Sequence, residues 1–131
     1  MFKEEELTRK IIGIAMKIHT ELGPGFKELI YHQAMIEDLE EENISFETEK
    51  EFDVVYKNKI IGTFRADLLV EDKVIVELKA ISGEISKIFQ TQTVSYLKAS
   101  KLEIGLLINF GNPSLEIKRL ANYKNYRRNS V

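Results

Sequence analysis

The 131-residue sequence contains no cysteine and no tryptophan, and only two prolines and two histidines. The missing cysteine excludes disulfides, thiolate zinc sites, iron–sulfur clusters and a cysteine nucleophile, and it agrees with a cytoplasmic, reducing compartment. With His19 and His32 the only imidazoles, a metal site has to be built mainly from carboxylates. No apolar run approaches the roughly 18 residues of a membrane span. The opening Met1-Phe2-Lys3-Glu4-Glu5-Glu6 is acidic where a secretory leader is basic, so no leader is expected. The length falls in the range of one domain whose core needs no covalent staple, and we read residues 1–131 as a single domain.

The net charge of -2 hides an asymmetry. Residues 1–51 carry 6 Lys and Arg against 13 Asp and Glu, whereas residues 52–131 carry 13 against 8. Much of the basic excess lies at the end, in Lys118, Arg119, Lys124, Arg127 and Arg128, interleaved with Tyr123 and Tyr126. Such a stretch suits phosphates, and it equally suits a solvated, flexible basic tail from about residue 121. The chain as a whole is too acidic for a dedicated DNA-coating protein.

Leu7, Ile11, Ile14, Ala15, Ile18 and Leu22 recur at spacings of three and four, which predicts an amphipathic helix over about residues 4–22 with His19 at the edge of its apolar face. Leu22-Gly23-Pro24-Gly25 stops it, and a second helix is expected over about 27–42. The period then changes. Ile44 to Phe46, Phe52 to Tyr56, Ile60 to Val70 and Val74 to Ala80 read as strands of a meander. Helical spacing returns over about 84–100, through Ile85, Ile88, Phe89, Gln92 and Tyr96. Ile104 to Ile108 is an apolar strand of the kind buried on both faces. The order α-α-β-β-β-α-β, with a crossover helix between two strands, predicts a mixed sheet covered by helices.

The chemistry concentrates in the hairpin from Arg65 to Lys79. Glu77 and Lys79 alternate with Val76 and Leu78, so both point to one face of a strand otherwise made of Val, Ile and Leu. Ionisable groups are rare there unless paired or metal-bound, because an unpaired buried charge costs several kcal/mol. The turn Glu71-Asp72-Lys73 brings Asp67 alongside. Two carboxylates and an ammonium suit a hard cation such as Mg²⁺, with Lys79 to orient a water or stabilise charge on phosphate oxygens. An ion pair between Glu77 and Lys79 at a partly open sheet edge is the alternative. Gln92 interrupts an apolar helical face, where a buried amide needs partners. Glu28, Tyr31, His32 and Met35 share one stripe; Tyr31 reads as packing with its hydroxyl at a rim, and His32 as a surface histidine.

Asp67 followed by Glu77-Leu78-Lys79 resembles the D…(D/E)xK core of the PD-(D/E)xK nuclease superfamily. Gly25-Phe26-Lys27-Glu28-Leu29-Ile30-Tyr31 reads as GxxExxY. With Leu22 to Gly25, Gln92 to Leu97 and Gly105 to Gly111, the chain from about Ile11 to Leu120 is similar to the bacterial GxxExxY family within that superfamily. The resemblance implies a restriction-endonuclease-like core and Mg²⁺ or Mn²⁺ as cofactor. It makes Asp67, Glu77 and Glu28 metal ligands, Lys79 the catalytic lysine, and Gln92 a further catalytic-site residue. It implies hydrolysis of phosphodiester bonds, in DNA as the expected partner, by a metal-activated water. Ala66 stands where the pattern's proline would be, which removes nothing from the metal set. A homodimer is compatible with two-strand cutting. A catalytically silent module binding nucleic acid or a protein, and a metal-dependent hydrolase of other phosphates, are the competing functions, since a fold does not by itself prove cleavage.

Overall fold

A computed structural model describes residues 3–122. Its elements are α1 (Glu5–Leu22), α2 (Glu28–Glu41), β1 (Phe46–Tyr56), β2 (Lys59–Val70), β3 (Val74–Lys79), α3 (Lys87–Ser100), β4 (Ile104–Asn109) and β5 (Glu116–Ala121). The expected order α-α-β-β-β-α-β is present, followed by β5. The five strands form one mixed sheet in the order β1-β2-β3-β4-β5. Only β3 and β4 run parallel, with Val76 opposite Leu106 and Lys79 opposite Asn109, as a crossover through α3 demands. This is the restriction-endonuclease-like α/β architecture. No helix among the described residues is long and apolar enough to cross a membrane.

The sheet separates two apolar layers. Leu68, Val70, Val74, Val76, Leu78, Leu106 and Ile108 meet Ile11, Ile14 and Ile18 of α1 and Tyr31, Met35 and Leu39 of α2. On the other face Ile75, Leu69 and Ala66 meet Leu97 of α3. Every residue of β4 is buried, which accounts for its unbroken apolar run. α3 approaches β4 so closely that a Cβ on Gly105 would stand 3.1 Å from the Thr93 methyl.

Two expectations about strands and helices are corrected. The segments 44–46 and 52–56 are not separate strands: Phe46–Tyr56 is continuous, because an edge strand accepts the charged stretch Glu47 to Glu51 toward solvent. α3 begins at Lys87 rather than 84, and Ile88 is 72% exposed instead of facing the core. Lys118 and Arg119 belong to β5, where the Arg119 guanidinium donates to the Lys3 carbonyl. The remainder of the expected basic tail, from Tyr123 on, lies outside the described residues.

Two polar clasps fix the loops that flank the site. The Tyr31 hydroxyl donates to the Gly23 carbonyl (2.6 Å) and accepts from the Phe26 amide (3.2 Å), while its ring stacks on Phe110 at 4.5 Å. The loop that enters α2 is thereby tied to the end of β4. Tyr31 is fully buried, so its hydroxyl is an internal fastener and not a rim group. Asn109, also fully buried, accepts from the Ile81 and Gly111 amides (both 3.0 Å) and donates to the Ile81 carbonyl (3.1 Å), fastening the chain just after Lys79. His19, at the edge of the apolar face of α1, is buried and donates to the Asn112 carbonyl at 2.8 Å.

Gly111 lies against that fastened segment, and a Cβ there would come within 2.2 Å of the Ile81 carbonyl oxygen. Backbone cannot yield as a side chain does, so Gly111→Ala is expected to cost about 2–3 kcal/mol by overpacking. Gly13 sits on the exposed face of α1 with nothing within 4 Å of its would-be Cβ. Gly13→Ala is therefore expected to stabilise by about 0.5–1 kcal/mol. Urea melts of the two variants check both signs; equal effects would show that close approach at Gly111 does not matter.

Candidate functional site

The β2–β3 ladder runs from Val70 opposite Val74 to Leu68 opposite Val76 and stops. One residue further on, side chains replace backbone partners. The Asp67 amide donates to Glu77 Oε2 (2.7 Å), and the Leu78 amide donates to Asp67 Oδ2 (2.8 Å). Each carboxylate thus closes the gap left by the opened ladder and is held by the partner strand's main chain.

The opening has a local cause. Phe46, Leu68 and Val70 face the α1/α2 layer, whereas Phe52, Phe64 and Ala66 face α3, so both strands of the β1–β2 hairpin exchange faces around Glu49 and Asp67. The register passes from Thr48 opposite Leu68 to Lys50 opposite Ala66, skipping the pair between them. Glu49 takes a left-handed φ of 49°, uncommon for a residue with a side chain. Its carboxylate lies 3.7 Å from Arg65 and lines a pocket of about 130 Å³ with Glu28, Leu29, His32, Asp67 and Leu78.

Glu28 enters from the first turn of α2, exposed at the pocket mouth. Its pKa is raised by burial of its carboxyl and then by the charge of Asp67, and lowered by Lys79 and His32. Asp67 is likewise raised by burial, against the pull of the Leu78 amide. Glu77, 8% exposed, is pushed up to about 8 by burial and by Asp67, with Lys79 and the Asp67 amide opposing. The four groups Glu28, Asp67, Glu77 and Lys79 therefore share one electrostatic neighbourhood. Tyr96, raised by burial and by the charges of Glu77 and Asp67, bounds it from α3, where its ring stacks on Phe64 at 4.0 Å.

Lys79 does not pair with Glu77. Its ammonium sits 4.2 Å above the Phe89 ring, and among the described residues no ion pair within 4 Å involves it. Nor is β3 at an open edge, since it is the middle strand. The structural ion-pair alternative is thus overturned. Gln92 is exposed, not a buried amide: α3 packs through Thr93 and Leu97, which turns position 92 outward between Phe89 and Tyr96. His32 is also corrected, from a surface residue to one 8% exposed.

The donor set fits a hydrated alkaline-earth ion better than a caged transition metal. No three His, Asp or Glu side chains among the described residues converge closely enough to encage an ion. An ion such as Mg²⁺ keeps most of its waters and needs one or two carboxylates, and the backbone-held Asp67 and Glu77 are the groups that would offer them. Sequence reasoning missed His32, Glu49 and Tyr96; only His32 left a signal, its position one turn after Glu28.

The family model described as the PD-(D/E)XK nuclease superfamily matches residues 5–120. A solved structure described as "Crystal structure of SSO0001" is similar over 76% of this chain, with 18% identity and a TM-score of 0.55. The match takes in 52% of that chain, so this chain spans about half its length, and the likeness is one of fold. No curated protein matches the sequence. With the family model spanning α1 to β5 and the Asp67, Glu77 and Lys79 side chains gathered at the opened ladder, the chain belongs to the PD-(D/E)XK nuclease superfamily.

Proposed function

We propose that the protein is a divalent-metal-dependent nuclease of the GxxExxY type, hydrolysing phosphodiester bonds in DNA. The observation that carries this reading is the pair of hydrogen bonds across the opened ladder, from the Asp67 amide to Glu77 and from the Leu78 amide to Asp67, with Lys79 in no ion pair on the same strand. Superfamily membership supports a nuclease; DNA as substrate and Mg²⁺ or Mn²⁺ as the ion are part of the proposal.

Asp67 and Glu77 would hold the cation, and Glu28 on α2, in the same electrostatic neighbourhood, would meet it through its waters. When bound, the ion neutralises phosphate charge and lowers the pKa of a water. Lys79, whose ammonium rests over Phe89 and not on a carboxylate, would stabilise the charge that grows on the nonbridging oxygens. Its resting place over Phe89 keeps the ammonium close without committing it to a carboxylate. Gln92, on the solvent side of α3, contacts the substrate from outside the core. Tyr31 takes no part in the chemistry and holds the loop that aims Glu28.

Lys79→Ala is expected to keep metal binding near wild type and lower cleavage by about two to four decades. A cleavage gel with metal and chelator lanes checks this. Cleavage that survives chelation would exclude the proposed chemistry.

Mg²⁺ or Mn²⁺ should raise the melting temperature in proportion to ligand excess over its Kd. Asp67→Asn should abolish the rise, as should Glu77→Gln. A retained rise in both variants would show that the ion binds elsewhere.

The metal-free protein carries its own signature. The folded state holds a proton on Glu77 up to pH about 8, which the unfolded chain releases near its ordinary 4.5, so stability falls as pH rises between those values and levels off above. Glu77→Gln, whose amide oxygen still accepts from Asp67, should flatten that fall. At pH 8.5 it should melt several degrees above wild type, about 3–6 °C for each kcal/mol recovered. Parallel curves for the two proteins would mean that Glu77 is ionised without penalty.

A further inference from the structure

His32 is the one buried polar side chain that the described fold leaves unsatisfied. The imidazole is 8% exposed, and Nε2 has no hydrogen-bond partner. Thr8, His19, Thr93 and Asn109, the comparable buried polar groups, all have partners. Leaving such a nitrogen unpaired costs about 1–3 kcal/mol, and His32 is among the residues that line the pocket with Glu28 and Asp67.

The pocket restricts what a partner for Nε2 can be. At about 130 Å³ it is a small polar pocket that can take water or a hydrated ion. Glu28, Glu49 and Asp67 on its walls repel a phosphate and attract a cation. The absence of any three converging ligands argues against direct coordination by the imidazole. A cation that retains its waters, by contrast, presents donors and acceptors that either tautomer of His32 can meet.

We propose that His32 is a positioning residue for the hydrated divalent cation, its Nε2 bonding to the cation's hydration shell within the pocket between α2 and the β2–β3 opening. This rests on the metal-dependent reading above. It adds a nitrogen contact from outside the carboxylate set, one helical turn beyond Glu28, and it gives the unpaired atom its partner. Groups that orient a metal centre from beyond its direct ligands typically change affinity about 10–100-fold when lost.

The test is calorimetric titration of Mg²⁺ and of Mn²⁺ into wild type, His32→Leu, His32→Gln, His32→Asn and Asp67→Asn, with metal-free melts of each. His32→Leu removes a buried unpaired nitrogen, so it should melt at or above wild type without metal, yet bind both cations about tenfold or more weakly. His32→Gln, whose amide reaches as far as Nε2, should return to within a few-fold of wild type, and the shorter His32→Asn should not. Should His32→Leu fail to fold, the Gln and Asn pair decides: a difference between them supports the role, and equal affinities overturn it. Unchanged affinity in His32→Leu, with binding lost in Asp67→Asn, overturns the His32 role alone. Unchanged affinity in Asp67→Asn overturns the metal reading and this inference with it.

Discussion

Where the β2–β3 ladder opens, each strand hands its next amide to the other strand's carboxylate, and the site follows from that exchange. A sheet cannot leave a buried amide unpaired. Here the partner is an acid side chain, so satisfying the main chain also fixes Asp67 and Glu77 to within a hydrogen bond of known geometry. The carboxylates are thus pre-positioned without spending a cation on them. Had Glu77 paired with Lys79, the pair would have been satisfied internally and both groups withdrawn from chemistry. Instead Glu77 carries a burial penalty that its amide bond only partly offsets, and Lys79 rests on an aromatic ring.

The rest of the fold supports this opening from four sides. The change of face at Glu49 and Asp67 bends the β1–β2 hairpin away from β3 just where pairing ends. Tyr31 fastens the α1–α2 loop to Phe110, which sets the start of α2 and therefore Glu28. Asn109 holds the chain immediately after Lys79. Gly105 lets α3 settle on β4 through Thr93, bringing Phe89 and Tyr96 over the open end of β3. Tyr31, Asn109 and Gly105 are not carboxylates, yet each fixes an element that carries a group of the site.

Much of this could be read before any coordinates, because the relevant signals are periodic or local. The apolar stripe of α1, the unbroken run of β4 and the short turn at Glu71 to Lys73 each follow from nearest neighbours. The alternation along β3 and the hairpin register together place Asp67 against Glu77. What escaped depends on contacts distant in the chain. Residue 92 points outward because the helix packs through its 93/97 stripe against Gly105 in β4, a contact made across the crossover loop and carrying no mark in the helix's own periodicity. His32 has exposed apolar neighbours in Leu29 and Ile30, so its burial shows only once α2 is docked on the sheet. The left-handed residue inside β1, Glu49, which lines the pocket, has no compositional mark, since glycine or asparagine is the usual flag for that conformation.

The charge balance of the site explains why a cation and a polyanionic substrate would arrive together. Glu28, Glu49, Asp67 and Glu77 carry up to four negative charges against one each on Lys79 and Arg65, an excess that repels a phosphodiester. Burial keeps a proton on Glu77 below about pH 8, which lowers the excess but also removes a ligand. On the proposed reading, Asp67 and Glu77 would hold a divalent ion whose charge would favour the ionised form of Glu77 and offset the remaining negative charge. The neighbourhood would then move from anion-repelling to nearly neutral, and the Lys79 ammonium, no longer outnumbered by carboxylates, would be free to be drawn toward a phosphate oxygen. On this account the acidity that would defeat a simple nucleic-acid-binding surface is the feature that makes substrate approach conditional on the ion.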